Sequence, residues 1–442
     1  MISNNAVPSQ SDDFESIESH TTAPGAGAYL PPSDDRHRKA AIQYGKLVAE
    51  VRSLPGFESF MRSKKLSALL PSSICFSGPV VFINVDRDRC DALIILPEGT
   101  ITALSLSELS LDKAEALRSQ WLLYLKQQHV RERSLATQIT RSSSGSPPVR
   151  ILDRLWRWIV GPVLSALGMD VINAARERLP HITWCPIGPL TQLPLHAAGI
   201  YEDDAGPRVY NLVVSSYTPS LSALTRSLDD LAKHSATPHI LVVTQPDTPG
   251  LPPLPGTTVE GLRLRDVFQS SEAPSTALDG EHATISAVKH VLGEYSWLHL
   301  ACHGSQDVND PLKSAFALYD GPLSLSDLMA TTADNAELAF LSACQTAVGD
   351  EKIPEESMHL AAGMLAVGYK GVVATMWSIR DDDAPLVVET YYRKLLELRA
   401  LGMLEKGETG AAYALHEATK RLREEVGESD VVRWAPFVHF GI

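Results

Sequence analysis

The sequence contains little cysteine, and no cysteine pair is spaced for a zinc site. Its five cysteines among 442 residues are Cys75, Cys90, Cys185, Cys302 and Cys344, and none of them forms a Cys-x-x-Cys motif. An odd number of widely separated cysteines is not typical of a disulfide framework. The composition therefore predicts a reducing, intracellular location, cytoplasmic or nuclear, and it gives no sign of a metal or an organic cofactor.

Basic charge and long apolar runs are also scarce. The formal net charge is -14, whereas a protein that binds nucleic acid or an anionic membrane presents a basic face. No apolar run is long enough to span a membrane, and the N-terminus lacks the basic and apolar regions of a signal peptide. The expected partner is a protein or peptide substrate, with no nucleic acid and no membrane.

Composition divides the chain into four segments. Residues 1–36 are rich in Ser, Gly and Pro and carry too few bulky apolar side chains to fold, so we expect disorder. Residues 37–71 have apolar residues at helical spacing and are predicted to be a helical connector. Residues 72–232 and 233–442 each alternate strands with helices, which predicts two α/β units with mostly parallel strands.

Two apolar runs in the last segment stop at residues able to do chemistry. The run Trp297–Cys302 is followed by His303, and the run Leu338–Ala343 is followed by Cys344. The ends of parallel strands meet at one edge of a sheet, so these two side chains are expected to lie close together. A histidine beside a thiol can withdraw its proton, which makes the pair a candidate nucleophile and base.

Two shorter runs are also predicted to be strands. Leu190–Leu195 is a brief apolar segment of the first α/β unit, and Phe437–Phe440 is expected to be a last edge strand of the second. Both predictions depend on local pattern alone.

Several segments, including those that carry the candidate dyad of His303 and Cys344, resemble the signature blocks of CHAT domains. These are His303-Gly304, Leu341–Ala347 and Ala374–Ile379, and the similarity extends over roughly residues 70 to 442. CHAT domains are peptidases of the caspase/separase clan that often follow tetratricopeptide repeats. The resemblance implies a caspase-like three-layer α/β sandwich, with 72–232 as a pseudo-protease half and 233–442 as the catalytic half. It also implies an association with a tetratricopeptide region or partner, although no repeat is visible in the sequence.

The resemblance implies roles for individual residues. His303 is the implied general base and Cys344 the nucleophile, and Gly304 with Cys344 would offer backbone N–H groups to an oxyanion. Trp377 would line a groove that pairs with the substrate backbone. Ser342 stands where the caspase signature has Gln before Ala-Cys, and we place it in the substrate-binding set.

Acidic residues near the expected groove predict substrate preference. Asp350 and Glu356 follow the nucleophile, and Asp381 to Asp383 follow Trp377. The arrangement Trp-x-Ile-x-Asp, ending at Asp381, resembles separases, which cut after Arg. We therefore expect a cysteine endopeptidase, the output domain of a regulated signalling or defence protein, that cleaves after a basic residue held by one of these carboxylates.

Simpler interpretations of the same residues stay open. Cys344 in an apolar strand can be a buried small hydrophobe, Trp377 can be a core residue, and Asp381 to Asp383 can be a solvated helix start. A catalytically silent interaction module that binds a partner peptide in its groove would keep all of them. Labelling by a thiol-reactive peptidyl inhibitor that depends on His303 would distinguish the peptidase from the binder.

Overall fold

The computed structural model describes most of the chain. The described residues are 32–58, 60–62, 69, 76–128, 147–171, 178–228, 238–307, 310–331, 336–343, 359–405 and 407–442. Of the residues predicted to form the site, Cys344, Asp350 and Glu356 fall outside this set, as does most of the segment predicted to be disordered.

The strands and helices alternate along the chain, as the sequence predicts. The strands are β1 (Val80–Val85), β2 (Cys90–Ile95), β3 (Ile101–Ser105), β4 (His181–Pro186), β5 (Val214–Tyr217), β6 (Ile240–Thr244), β7 (Ser275–Asp279), β8 (Trp297–Ser305), β9 (Ala315–Leu318), β10 (Gly321–Ser324), β11 (Leu338–Ala343), β12 (Gly371–Thr375) and β13 (Phe437–Gly441). The helices are α1 (Pro32–Arg52), α2 (Leu111–Gln127), α3 (Pro147–Leu155), α4 (Gly161–Ala166), α5 (Leu221–Leu228), α6 (Pro255–Ser270), α7 (Ile285–Val291), α8 (Leu325–Thr331), α9 (His359–Val367), α10 (Ala384–Ala400), α11 (Ala411–Val426) and α12 (Val431–Trp434).

One large, mostly parallel sheet collects the thirteen strands of the described residues. Its order is β10-β9-β8-β11-β12-β13-β5-β4-β1-β2-β3, and β6 pairs with β8 and with β7. Every residue of β11, β12 and β13 is buried, so side chains that alternate between the two faces are covered on both. The mixed α/β class with a mostly parallel sheet is confirmed.

The last strand joins the two predicted α/β units. β13 pairs antiparallel with β12 and, through Phe440 and Tyr217, parallel with β5. The prediction of an edge strand at Phe437–Phe440 is therefore wrong, because the segment lies inside the sheet with strands on both sides. The described residues after Lys65 form one compact unit.

Local pattern misassigned one other segment. Leu190–Leu195 was expected to be a strand, but the chain there forms short 3-10 turns at Gly188–Gln192 and Leu195–Ala197. Pro189 has no N–H group to donate to a strand ladder, and Gly188 has φ +60°, a conformation that suits glycine.

The described residues before Lys65 belong to a separate unit. Helix α1 begins at Pro32, earlier than the predicted connector, and proline suits the first turn of a helix because it lacks an N–H group that would be unpaired there. Arg52, the last residue of α1, donates from Nε to Phe60 O at 2.7 Å. The end of α1 is thereby tied to the turn that follows it.

Candidate active site

His303 lies near the carboxyl end of β8, where the strand leaves the core. The six residues from Trp297 to Cys302 are buried, and His303 and Gly304 are half-buried. At this end β8 pairs antiparallel with β9, with His303 opposite Ala317 and Gly304 opposite Phe316. The position is therefore accessible and held by the sheet, as the sequence predicts for a residue at a strand end.

A backbone carbonyl fixes one ring nitrogen of His303. Nε2 lies 2.8 Å from the carbonyl oxygen of Pro252, in the loop between β6 and α6. A carbonyl oxygen only accepts hydrogen bonds, so the hydrogen-bonded Nε2 carries the proton. In the neutral imidazole Nδ1 then has the free lone pair, and this nitrogen can act as a base.

The register of β8 and β11 brings the residues before the predicted dyad together. Cys302 is the Cα partner of Ala343, and Ala301 is the partner of Ser342. Residues paired in register on parallel strands direct their side chains to the same face of the sheet. His303 and Cys344 each follow one member of the Cys302–Ala343 pair in sequence, but Cys344 is outside the described residues, so the dyad stays a prediction.

Two predicted substrate-binding residues occupy the core instead. Ser342 is fully buried within β11, and Trp377 is 2% exposed. The Trp377 Nε1–H group donates to Val432 O at 2.8 Å, and its ring packs edge-on against Trp121 with centroids 5.2 Å apart. Neither side chain offers an exposed surface to a peptide, which agrees with the alternative that Trp377 is a core residue, and a substrate-binding role for either stays a prediction.

The position of Trp377 predicts an effect on stability. Trp377→Ala is expected to lower the free energy of unfolding by about 3–5 kcal/mol, as removal of a fully buried aromatic ring does. Urea unfolding followed by circular dichroism measures it. Trp158 is half-buried beneath Lys113 and Arg154. Trp158→Ala is therefore a matched control, and its free energy of unfolding should fall much less. Unchanged stability of Trp377→Ala with lost peptide turnover would favour the groove position.

Asp381 is also buried, and it contacts the N-terminus of helix α6. It is 1% exposed, and its carboxylate accepts a hydrogen bond from the Gly256 N–H group. Two residues on, the Asp383 carboxylate accepts two hydrogen bonds from the Arg433 guanidinium, one of them at 2.9 Å. These bonds raise the pKa of Arg433. Asp381 and Asp383 are therefore engaged within the protein rather than open to a basic substrate side chain.

No side-chain pattern in the sequence marks Pro252 as a site residue. It acts through its carbonyl oxygen, which every residue possesses, and no side-chain pattern marks such a role. The Pro- and Gly-rich composition of residues 246–256 predicts only a loop. The one available signal was the position of that loop directly after β6, the strand next to β8.

Metal and membrane signatures are absent from the part of the chain that the structure describes. No group of three or more His, Cys, Asp or Glu side chains is arranged to hold a metal ion there. Within the same residues, no helix is both long enough and apolar enough to cross a bilayer.

Comparisons with known proteins give one family and several distant structures. The model of the CHAT domain family matches residues 149–442. No curated protein matches the chain. Among solved structures, the Arg-specific cysteine proteinase gingipain R of Porphyromonas gingivalis is 12% identical over 75% of each chain, with a TM-score of 0.42. The Saccharomyces cerevisiae separase in its securin complex is 10% identical over 83% of this chain and 30% of its own, with a TM-score of 0.47. The family match covers more than half of the sequence, and the chain therefore belongs to the CHAT domain family.

Proposed function

We propose that the chain is a cysteine endopeptidase that cleaves a peptide bond after a basic residue, with His303 as general base and Cys344 as nucleophile. One observation carries the proposal. His303 stands at the carboxyl end of β8 with Nε2 held by Pro252 O, and the residue before it is paired with the residue before Cys344. The CHAT family match and the α/β fold support the same class of hydrolase.

The chemistry follows from the tautomer of His303. Nδ1 accepts the proton of the Cys344 thiol, and the thiolate attacks the carbonyl carbon of the substrate. The imidazolium then gives that proton to the leaving amine as the peptide C–N bond breaks and a thioester remains. Water, deprotonated by the same nitrogen, hydrolyses the thioester and restores the thiol.

The negative charge that develops on the carbonyl oxygen needs donors close by. The proposal assigns this role to the backbone N–H groups of Gly304 and Cys344. Gly304 has no side chain, so a substrate backbone can approach it closely at the end of β8. Loss of one such donor typically raises the activation barrier by about 2.7–4 kcal/mol. These two N–H groups are therefore expected to contribute strongly to the rate of peptide hydrolysis.

The proposed basic preference requires a carboxylate beside the scissile bond. Asp381 and Asp383 already bind Gly256 and Arg433, so Asp350 and Glu356 are the proposed residues for that contact. A carboxylate holds a guanidinium through paired, charge-assisted hydrogen bonds. Arg is therefore the side chain for which we expect the strongest selection.

A panel of fluorogenic peptides that differ only in the residue before the scissile bond tests both parts of the proposal. Wild type should turn over the Arg peptide at least about tenfold faster than the Asp or Leu peptide, since a charged hydrogen bond contributes about 1.5–3 kcal/mol. Cys344→Ala, assayed in parallel, should be inactive on every peptide. Equal turnover of Arg and Asp peptides would remove the basic preference alone, whereas activity retained by Cys344→Ala would remove the peptidase assignment.

A further inference from the structure

A short segment links His303 to the start of helix α6. Pro252, whose carbonyl oxygen accepts from His303 Nε2 at 2.8 Å, lies four residues before Gly256 in the first turn of the helix. Between them Leu254 is 1% exposed, and its N–H group donates to Pro246 O at 2.8 Å. A displacement of the helix N-terminus would therefore also move the Pro252 carbonyl, because the segment between them is short and is anchored by the buried Leu254.

The helix N-terminus is in turn held against Asp381. The Asp381 carboxylate accepts from the Gly256 N–H group. A Cβ atom at Gly256 would lie 2.3 Å from the Asp381 carbonyl oxygen and 2.5 Å from its Cγ, closer than atoms can approach. Glycine is therefore the residue that fits this contact, and the two backbones meet directly.

Charge reinforces the contact. Helix α6 is 16 residues long, and its free N–H groups give its N-terminus a partial positive charge that a carboxylate stabilises. The turn that carries Asp381 is fixed at its other end, because Arg433 of α12 binds Asp383. Asp381 is thus a buried carboxylate that accepts from the start of α6, in a turn that the Asp383–Arg433 ion pair anchors.

We propose that Asp381 is a positioning residue for His303. By holding the first turn of α6, it keeps the Pro252 carbonyl where that oxygen accepts from Nε2, so that Nδ1 is left as the base directed toward the thiol. The inference rests on the proposed function, because it gives Asp381 a role in the same dyad. It differs from the substrate-binding role expected from the sequence, in which Asp381 would contact a basic side chain of the peptide.

The two roles differ in what Asp381→Asn and Asp381→Ala change. The full-length chain is alkylated with iodoacetamide from pH 5 to 10, and the modification of Cys344 is followed by mass spectrometry. Peptide turnover is measured with Arg, Lys and Leu before the scissile bond. If Asp381 positions His303, alkylation at pH 7 should slow about tenfold in Asp381→Ala and less in Asp381→Asn, which keeps an acceptor oxygen. The midpoint of the pH profile should move up toward that of a free cysteine, about 8.5, and turnover of the three peptides should fall by the same factor.

Asp327→Asn is the matched control for a general loss of stability. Asp327 also caps a helix, since its carboxylate accepts from Ser324 and binds Lys289 at 2.7 Å, and these bonds involve neither the Pro252 segment nor α6. This variant should leave the alkylation profile unchanged. Gly256→Ala is the second test variant, because it keeps the carboxylate and forces the two backbones apart. Its alkylation profile should change in the same direction as that of Asp381→Ala.

Three outcomes decide between the possibilities. A wild-type alkylation profile in the Asp381 variants, with turnover lost only for Arg and Lys peptides, would overturn the positioning role and restore the substrate contact. A shift of the profile in Asp327→Asn as large as in Asp381→Ala would reduce the effect to destabilisation and would also overturn it. If His303→Ala itself leaves the profile of Cys344 unchanged, the proposed dyad fails, which is a separate result from either of these.

Discussion

Peptide hydrolysis by His303→Ala is expected to be about 10²–10⁴-fold slower than by wild type, the usual contribution of a positioned general base. The Nε2–H group of His303 is hydrogen-bonded to Pro252 O, so Nδ1 is the ring nitrogen that can accept a thiol proton. We expect the loss to appear in kcat, since the substrate-binding surface is unchanged. Steady-state kinetics on the Arg peptide measures it.

The control for this prediction is another histidine substitution that leaves the strand end intact. His290 is exposed on helix α7, and His290→Gln should retain wild-type kinetics. His303→Ala should also unfold at the same urea concentration as wild type, because the ring is only half-buried. If kcat were unchanged in His303→Ala, His303 would not be the base.

Acidification from pH 7 to pH 4 is expected to destabilise the protein steeply. Two histidines bind one serine in the core: His181 Nε2 and His439 Nδ1 each lie 2.7 Å from Ser216 Oγ. They are 5% and 1% exposed, and Nε2 of His439 has no hydrogen-bond partner among the described residues. An imidazolium at either position would carry charge into the core without a carboxylate to balance it.

Burial lowers the pKa of both histidines, with a smaller effect from neighbouring positive groups. The pKa of His181 falls to about 4 and that of His439 to about 3, from an ordinary value of 6.5. The unfolded chain therefore binds protons below pH 6.5 that the folded chain does not, so stability is present above that pH and is lost as the pH falls toward 4 and 3. Each proton contributes a slope of about 1.4 kcal/mol per pH unit, and the pair about twice that.

Urea unfolding at a series of pH values tests the acid prediction. His439→Asn keeps an acceptor near the position of Nδ1 and cannot titrate, so the slope between pH 6 and pH 4 should fall by about one proton, or 1.4 kcal/mol per pH unit. This change is expected even though the smaller side chain lowers stability at pH 7. His290→Gln should keep the wild-type slope. An identical slope in His439→Asn would show that His439 does not contribute to the acid sensitivity.

The elements with strong local signals were predictable from the sequence, and the position of β13 was not. The runs Trp297–Cys302 and Leu338–Ala343 are apolar at every residue or nearly so, which is typical of parallel strands buried on both faces. Phe437–Phe440 has the same apolar character, but whether such a strand lies at an edge depends on its neighbours. Those neighbours, β12 and β5, come from distant parts of the chain, and no local pattern records them.

The candidate site was predictable to the same limited extent. A histidine after a buried strand could be placed at a sheet edge, and His303 lies there. A core position for Trp377 was one of two interpretations left open by the sequence. Local pattern could not decide between them, because Trp121, the ring that packs against it, lies in the other predicted α/β unit. The contact of Asp381 with Gly256 was hidden for a similar reason, since it joins the turn before α10 to the start of α6.

The central claim is that the imidazole of His303 activates the thiol of Cys344. The most direct test is labelling of Cys344 by an Arg-containing peptidyl chloromethyl ketone across pH 5 to 10, in wild type and in His303→Ala. Wild type should label with a midpoint well below that of a free cysteine, about 8.5, and His303→Ala should label slowly with a midpoint near that value. Identical midpoints and rates in the two proteins would contradict the account.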